Sequence, residues 1–344
     1  MTNLPVLTPT PLLEVKHLRK YFPIQTGGLR RKVVGQVRAV DDVSFFINEG
    51  ETLGLVGESG CGKTTASRCV LRAYTPTSGE MLFRNADDSL VDLALLSRRG
   101  LRPIRSQIQM IFQDPYGSLN PRMTLFDIVG EPLLMNGMKD RRQRTERVAE
   151  LLHLVGLRPE FLQRFPHAFS GGQRQRIGIA RALASTPRLV VADEPVSALD
   201  VSVQAQILNL LLELQNRLNL TYLFVAHNLS VVKHICDRVT VMYVGKIVET
   251  AETQELFRAP KHPYTAALLL AVPVADPRVK SGDVELKGDV PSPANPPSGC
   301  YFHPRCPFAI DRCKTEPPVY REITPGHFVS CHRADELQLE GVAV

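Results

Sequence analysis

A nine-residue loop constrains the fold of this chain more than any other segment. Its sequence, Gly57-Glu58-Ser59-Gly60-Cys61-Gly62-Lys63-Thr64-Thr65, matches the pattern G-x-x-x-x-G-K-[S/T]. An apolar stretch, residues 52–56, precedes it and reads as a buried strand, and residues 63 to about 74 favour a helix. Glycines at such a turn let backbone N–H groups converge on phosphate oxygens at the positive end of the helix. We therefore expect nucleotide binding here, with Lys63 reaching the β- and γ-phosphates, Thr64 holding Mg²⁺ and Cys61 acting as a small loop residue.

Two adjacent acids follow a second apolar stretch. Residues 188–193 read as a fully buried strand that ends on Asp193, and Glu194 comes next. Two carboxylates at the end of a strand beside a phosphate loop can divide the work of hydrolysis. We expect Asp193 to orient Mg²⁺ and Glu194 to polarise the attacking water as a general base.

The order of apolar segments predicts an α/β fold. Short continuous apolar runs at 108–112, 188–193 and 221–226 alternate with helical patterns at 125–157 and 203–218. Strands of this kind are covered by helices on both faces of a parallel sheet. Strands within residues 12–56, on both sides of a loop at 23–38, and a hairpin at 239–249 that turns near Gly245 add further β-structure.

Charge and hydrophobicity leave the partner class open. The 344 residues carry a formal net charge of +6, which suits a nucleotide, an anionic membrane surface or nucleic acid. The basic run 139–147 has no interleaved aromatics, so we expect a solvated helix face rather than a nucleic-acid patch. The apolar run 266–272 ends at Pro273 and is shorter than the ~20 residues of a membrane span, and residues 1–11 lack the pattern of a secretory signal. Any membrane role is therefore expected to come through a partner.

Four of the seven cysteines crowd into the last 45 residues, after a Pro-rich stretch at 273–297. They are Cys300, Cys306, Cys313 and Cys331, and no close C-x₂₋₄-C pair occurs among them. The irregular spacing favours a metal or iron–sulfur cluster over free thiols. A zinc site in which His303, His327 or His332 replaces a thiolate remains an alternative.

Taken in order, the motifs of residues 12–258 resemble those of ABC-transporter ATPase subunits. Between the phosphate loop and Asp193-Glu194 stands Ser170-Gly171-Gly172-Gln173, which resembles the family's signature motif, although Phe169 replaces the usual Leu. The resemblance implies that this motif caps the γ-phosphate held by an opposite subunit. It also implies that Gln113 is the Q-loop glutamine that senses Mg²⁺ and water, and that the segment from Ser197 to Asp200 is the dimer-interface D-loop. His227 would be the switch histidine that contacts the γ-phosphate. Phe22 or Tyr21, with Phe22 favoured, would be the aromatic that stacks on adenine.

The same resemblance implies an architecture and partners. The fold is expected to be an ABC-type P-loop NTPase at 12–258, with a parallel-sheet core, an antiparallel β subdomain and a helical subdomain at about 114–180. A linker at 259–298 and a small Cys-rich C-terminal module at 299–335 would follow. Two ATPase subunits would sandwich two ATP molecules, and their closure would move two transmembrane permease subunits.

Two C-terminal segments narrow the resemblance to one branch. Lys261-His262-Pro263-Tyr264-Thr265 and the run from Gly299 to Cys306 resemble the C-terminal extension of dipeptide and oligopeptide importer ATPases, some of which bind a four-iron cluster through four such cysteines. This implies that Cys300, Cys306, Cys313 and Cys331 are ligands of a 4Fe-4S cluster.

The predicted function is that of an importer motor on the cytoplasmic face of the cell membrane. It would pair with a related, non-identical ATPase and serve a substrate-binding protein indirectly, with no nucleic acid involved. The alternatives are a soluble ABC ATPase acting on DNA or ribosomes, an importer of nickel or another small solute, and a metal-binding regulatory module with a vestigial ATPase. The last is disfavoured because every catalytic motif residue is present.

Overall fold

The structure is a computed structural model that describes residues 11–25, 32–271 and 288–342. The strands in these residues are β1 (Pro11–Gln25), β2 (Val33–Asn48), β3 (Thr52–Val56), β4 (Ser78–Arg84), β5 (Leu90–Asp92), β6 (Ile108–Ile111), β7 (Leu189–Asp193), β8 (Thr221–Val225), β9 (Arg238–Tyr243), β10 (Lys246–Glu252), β11 (Arg321–Thr324) and β12 (His327–Val329). The α-helices are α1 (Lys63–Val70), α2 (Leu101–Gln107), α3 (Leu125–Met135), α4 (Arg141–Leu154), α5 (Gly171–Leu183), α6 (Val201–Leu218), α7 (Leu229–Ile235), α8 (Thr253–Arg258), α9 (Pro263–Leu270) and α10 (Asp311–Thr315). Short 3₁₀ helices span Pro159–Gln163, Pro166–Ala168 and His303–Arg305.

The predicted alternation of buried strands and helices is confirmed. Strands β3, β6, β7 and β8 and helices α1 and α6 fall where the apolar patterns place them, and the helical region 125–157 consists of α3 and α4. Strands β1 and β2 run into the segment predicted to be a loop at 23–38, whose residues 26–31 lie outside the described part of the chain.

The described residues form two compact units. The first unit holds residues 11–15, Phe45–Glu51 and Glu80–Tyr222, and the second holds 16–25, 32–44, Thr52–Gly79, 223–271 and 288–342.

In the first unit, β6 and β7 pair in parallel, with Ile108 opposite Leu189, and β4 and β5 pair antiparallel. Helix α5 packs against α3, α4, α6 and β6. Helix α6 presents a buried stripe at Ile207, Leu211 and Leu214, as its spacing of three and four predicts, and ends where Asn219 turns left-handed (φ 50°).

In the second unit, a β-ladder carries the chain's C-terminal region. Strand β3 pairs in parallel with β9, and β9 pairs antiparallel with β10 through a turn in which Gly245 has φ 79°. Strand β12 pairs antiparallel with β10, with Glu249 opposite Val329, and β11 pairs with β12. The C-terminal strands therefore extend the ladder that begins at the strand before the phosphate loop.

The segment interpreted as a linker begins with ordered structure. Helix α9 lies within it, and six of its eight residues are buried, including Tyr264 and Leu269. Its first turn is capped by His262, whose Nδ1 accepts a hydrogen bond from the backbone N–H of Tyr264 at 3.1 Å. Residues 272–287 of the segment lie outside the described residues. No helix among the residues described is long and apolar enough to cross a membrane.

Candidate nucleotide site

The phosphate loop wraps around the ammonium group of Lys63. This side chain is 5% exposed, and its Nζ donates hydrogen bonds to the backbone oxygens of Gly57 at 2.7 Å and Glu58 at 3.0 Å. The loop joins the end of β3 to the first residue of α1, so the backbone N–H groups of the first helical turn face the same region. A cation and several N–H donors are thus gathered at one helix N-terminus, the arrangement that binds phosphate.

Two of the loop glycines are required by close backbone approach. A Cβ on Gly57 would come within 2.2 Å of the backbone oxygen of Met242, and one on Gly62 within 2.1 Å of that of Ala39. Both residues also have positive φ, 146° and 109° respectively, which side chains disfavour. Cys61 between them is buried, and burial raises the pKa of its thiol. It is therefore held neutral and packs inside the loop.

The two candidate adenine partners, Tyr21 and Phe22, are consecutive in β1. The Tyr21 hydroxyl donates to the Asp41 carboxylate. Phe22 meets Tyr74 edge to face at 5.6 Å between ring centroids, with the Lys20 ammonium 4.8 Å from its ring. Because Tyr21 is committed to Asp41, Phe22 is the better candidate for stacking on a base.

Asp41, in the second unit, accepts hydrogen bonds from two tyrosine hydroxyls. It is 6% exposed and accepts a second hydrogen bond, at 2.7 Å, from the hydroxyl of Tyr301 in the C-terminal region, while Lys246 Nζ lies 3.6 Å away. Burial alone would raise the pKa of Asp41, but the hydrogen bonds from Tyr21 and Tyr301 and the positive charges nearby outweigh it and lower that pKa. Asp41 is therefore a charged carboxylate at neutral pH.

In the first unit, Glu194 is oriented by Gln113. Gln113 Nε2 donates to Glu194 Oε2 at 3.1 Å, and the backbone of Glu194 adopts φ 48°, a left-handed conformation that costs energy in a residue other than glycine. The Glu194 carbonyl accepts from the backbone N–H of Ser197 at 3.2 Å and from its hydroxyl at 3.1 Å. Strain of this kind concentrates at functional positions, which fits the catalytic role expected for Glu194.

The signature segment forms the capped start of α5. The Ser170 hydroxyl accepts from the backbone N–H of Gln173 at 3.4 Å, and the Gln173 side chain accepts from the backbone N–H of Ser170 at 3.1 Å. This reciprocal pair is a capping box. A Cβ on Gly172 would meet Val203 of α6 at 2.5 Å, and one on Gly171 would meet Leu199 at 3.4 Å. The glycines thus let α5 begin against the turn that ends at Asp200.

The remaining predicted residues stand at element ends. Asp193 is 3% exposed at the end of β7, Asp200 precedes the first residue of α6, and His227 is exposed two residues beyond β8. Ser59 and Gly60 are exposed within the phosphate loop, while Thr64 and Thr65 are half-buried in the first turn of α1.

Glu58, the second residue of the phosphate loop, makes a set of contacts that the sequence does not predict. Its backbone N–H donates to the hydroxyl of Tyr264 in α9 at 2.9 Å. Its carboxylate accepts two hydrogen bonds from Arg305, one from Nη1 at 2.8 Å and one from Nη2 at 3.2 Å. The motifs that contain Tyr264 and Arg305 are visible in the sequence, but no spacing or periodicity ties either residue to the loop.

The predicted iron–sulfur or metal site is wrong. No group of three or more His, Cys, Asp or Glu side chains in the described ranges 11–25, 32–271 and 288–342, which include all four tail cysteines, is arranged to hold a metal ion. Cys300, Cys306, Cys313 and Cys331 are free and line one small cavity of about 10 Å³. Apolar side chains share this lining with His262, His303, His332 and Arg333. Burial raises the pKa of Cys300 to about 12 and that of Cys331 to about 11. Without a metal ion, burial therefore favours the neutral thiol form of both groups.

Comparisons with known proteins agree with the order of the motifs. Residues 40–197 match the family model described as ABC transporter, and residues 248–313 match the model described as oligopeptide/dipeptide transporter, C-terminal region. The oligopeptide transport ATP-binding protein AppF of Bacillus subtilis is 56% identical over 93% of this chain and 97% of its own length. A Brucella ovis protein named for peptide import ATP binding is 52% identical over 95% of this chain and 99% of its own length.

Solved structures share the fold. A dimeric, post-hydrolysis structure of the ATP-binding cassette MJ0796 bound to ADP and Pi superposes with a TM-score of 0.60 at 29% identity, covering 70% of this chain and 98% of that one. The cbiO1 protein of Clostridium perfringens, part of the cbiONQ transporter complex, gives a TM-score of 0.59 at 27% identity, covering 72% and 90%. The expected ABC-type P-loop fold with mixed sheets and helices is confirmed.

The fold, the motifs and these similarities define an ABC-type ATPase. This chain belongs to the ABC transporter family, in the branch that carries the oligopeptide/dipeptide transporter C-terminal region.

Proposed function

We propose that this chain is the ATP-hydrolysing subunit of an importer for dipeptides or oligopeptides. The observation that carries the substrate class is the C-terminal region match at 248–313, together with relatives above 50% identity that are named for peptide transport. A solute such as a nickel chelate is the second candidate substrate, and it is weaker because neither of these relatives is named for one.

In the proposed reaction, water attacks the γ-phosphorus of ATP and the bond to the β-phosphate oxygen breaks, which gives ADP and phosphate. Glu194 accepts the proton of the water, and the hydrogen bond from Gln113 holds its carboxylate in position. Lys63 binds the β- and γ-phosphates, His227 contacts the γ-phosphate, and Phe22 stacks on adenine.

The proposed ligands of a magnesium ion are Thr64, Gln113 and Asp193. Their hydroxyl, amide and carboxylate oxygens are the hard donors that Mg²⁺ prefers. Bound there, the ion would neutralise charge on the β- and γ-phosphates.

A second ATPase subunit completes the proposed machine. Ser170, Gly171 and Gly172 stand at the N-terminus of α5, where N–H groups and the helix dipole favour an anion. We propose that they cap the γ-phosphate bound by the other subunit and that Asp200 lies at the interface. The other subunit is proposed to be a related, non-identical chain. The pair would drive two permease subunits from the cytoplasmic face of the membrane, and a binding protein would deliver substrate.

The test is ATP turnover by the whole complex in proteoliposomes. The chain would be purified with its co-purifying membrane subunits, and phosphate release would be measured with a binding protein loaded with di- to pentapeptides or with a nickel chelate. Stimulation by the peptide-loaded protein alone is expected. Stimulation by the nickel-loaded protein alone would overturn the peptide assignment, and co-purification with ribosomes or DNA in place of membrane proteins would overturn the importer role.

A further inference from the structure

The backbone N–H and the backbone carbonyl of Glu58 each form a hydrogen bond with a side chain. Its N–H donates to Tyr264 Oη at 2.9 Å, and its carbonyl oxygen accepts from Lys63 Nζ at 3.0 Å. The residue that Tyr264 holds is therefore the residue that helps to place the Lys63 ammonium group. A displacement of Glu58 would shift the cation of the phosphate site.

The side chain of Glu58 is fixed as firmly. Arg305 donates from two guanidinium nitrogens to its two carboxylate oxygens, a bidentate geometry that sets direction as well as distance. These hydrogen bonds are the main cause of the raised pKa of Arg305. Arg305 is 9% exposed, so its partner could not be replaced by bulk water without a large cost.

The two holding residues are themselves anchored in an aromatic cluster made of Tyr243, Tyr264 and Phe302. All three are at most 1% exposed, and their ring centroids lie 4.6 to 5.4 Å apart. The Arg305 guanidinium lies 5.9 Å from the Tyr243 ring. Because β9, α9 and the C-terminal region each contribute one ring, the positions of Tyr264 and Arg305 relative to the loop are set by packing.

The positive charge of Arg305 also affects the electrostatics of the phosphate loop. Glu58 places a carboxylate inside a loop that must accept an anionic triphosphate, and two negative charges inside a protein repel each other. The guanidinium of Arg305 cancels that charge at 2.8 Å. Loss of Arg305 would leave the loop with an uncompensated negative group.

We propose that Tyr264 and Arg305 are positioning residues for the nucleotide, which act through Glu58 to hold the phosphate loop and Lys63 and to neutralise the loop's own carboxylate. The C-terminal region then contributes to nucleotide affinity by holding the phosphate loop in place. The inference rests on the proposed binding of nucleotide by this loop. A purely structural tether would lower the free energy of unfolding and leave nucleotide affinity unchanged in the folded variants.

The test uses the full chain and the equilibrium binding of a fluorescent ATP analogue with Mg²⁺. Arg305→Gln is expected to weaken binding about tenfold. The double variant Glu58→Gln/Arg305→Gln is expected to recover most of this loss, because no charge is then left unpaired. Arg305→Lys should lose less than Arg305→Gln, and high salt should shrink the defect of Arg305→Gln. Tyr264→Phe, which keeps the packed ring and removes the hydroxyl, should weaken binding about threefold.

The matched control is Arg312→Gln, which breaks an exposed ion pair with Glu316 in the same region. It should bind nucleotide as the unmodified chain does. If Arg305→Gln also binds normally, or if the double variant is as weak as Arg305→Gln, the proposal is overturned. Should Arg305→Gln fail to fold in urea titrations, Arg305→Lys and Tyr264→Phe decide the matter, since unchanged affinity in both contradicts it. No binding by the unmodified chain would instead contradict the proposed nucleotide function.

Discussion

Gln113 Nε2 lies 3.1 Å from Glu194 Oε2, and this hydrogen bond joins two residues 81 positions apart. The amide donor holds one carboxylate oxygen and so restricts the orientation of the other. The strained backbone of Glu194 (φ 48°) contributes to the same orientation. A general base needs a side chain that is held in position for the proton it accepts.

Substitution of Glu194 by Gln should separate binding from hydrolysis. The amide oxygen can still accept from Gln113, but it cannot take a proton from water, so ATP turnover should fall at least about 100-fold. Nucleotide affinity should stay within about twofold, because no phosphate contact is removed. Phosphate release and equilibrium binding measure the two quantities. Glu213→Gln, which removes an exposed carboxylate from α6, is the control. Near-normal turnover by Glu194→Gln would show that another group is the base.

Two capping boxes provide a matched pair of variants for the signature serine. Ser170 caps α5 with Gln173, and Thr124 caps α3 with Asp127 in the same way. Substitution of either cap by Ala should lower the free energy of unfolding by about 1 kcal/mol. ATP turnover should collapse only for Ser170→Ala, since only that hydroxyl is proposed to meet the partner's γ-phosphate. Urea titration and phosphate release on the assembled complex test this. Equal losses of turnover in both variants would reduce Ser170 to a helix cap.

Acid should destabilise this fold through His262. Burial lowers the pKa of His262 to about 3 from its ordinary 6.5. Between these values the unfolded chain binds one more proton than the folded chain, so stability falls as pH drops, by at most about 1.4 kcal/mol per pH unit. His262→Asn keeps an oxygen to cap α9 and removes the titrating ring, so its free energy of unfolding should vary less between pH 7 and pH 5. The comparison of urea titrations at these two values is the measurement, and equal slopes for both chains would contradict the assignment.

The motif residues and the strands that carry them follow from the sequence because their signals are local. A phosphate loop must join a strand to a helix, and Asp193-Glu194 must follow a buried strand, so β3, α1 and β7 could be placed in advance. The hydrogen bonds to Glu58 could not be predicted, since Tyr264 and Arg305 lie more than 200 positions away in the sequence and reach it only through tertiary packing. The metal site failed for a related reason. Irregular spacing of four cysteines carries no information on how tertiary packing arranges their side chains in space.

Strand β12 also has a consequence for how the chain can be cut. It occupies the hydrogen-bonding edge of β10, and the four-residue β11, with Arg321 and Glu322, forms a short charged outer strand. A truncation after α8, chosen to isolate the ATPase motifs, would uncover the backbone groups of β10 along a run that is buried from Ile247 to Ala251. Open apolar edges of this kind recruit strands from other molecules. The shortened protein would therefore self-associate, and its aggregation would reflect a missing edge cover rather than a misfolded core.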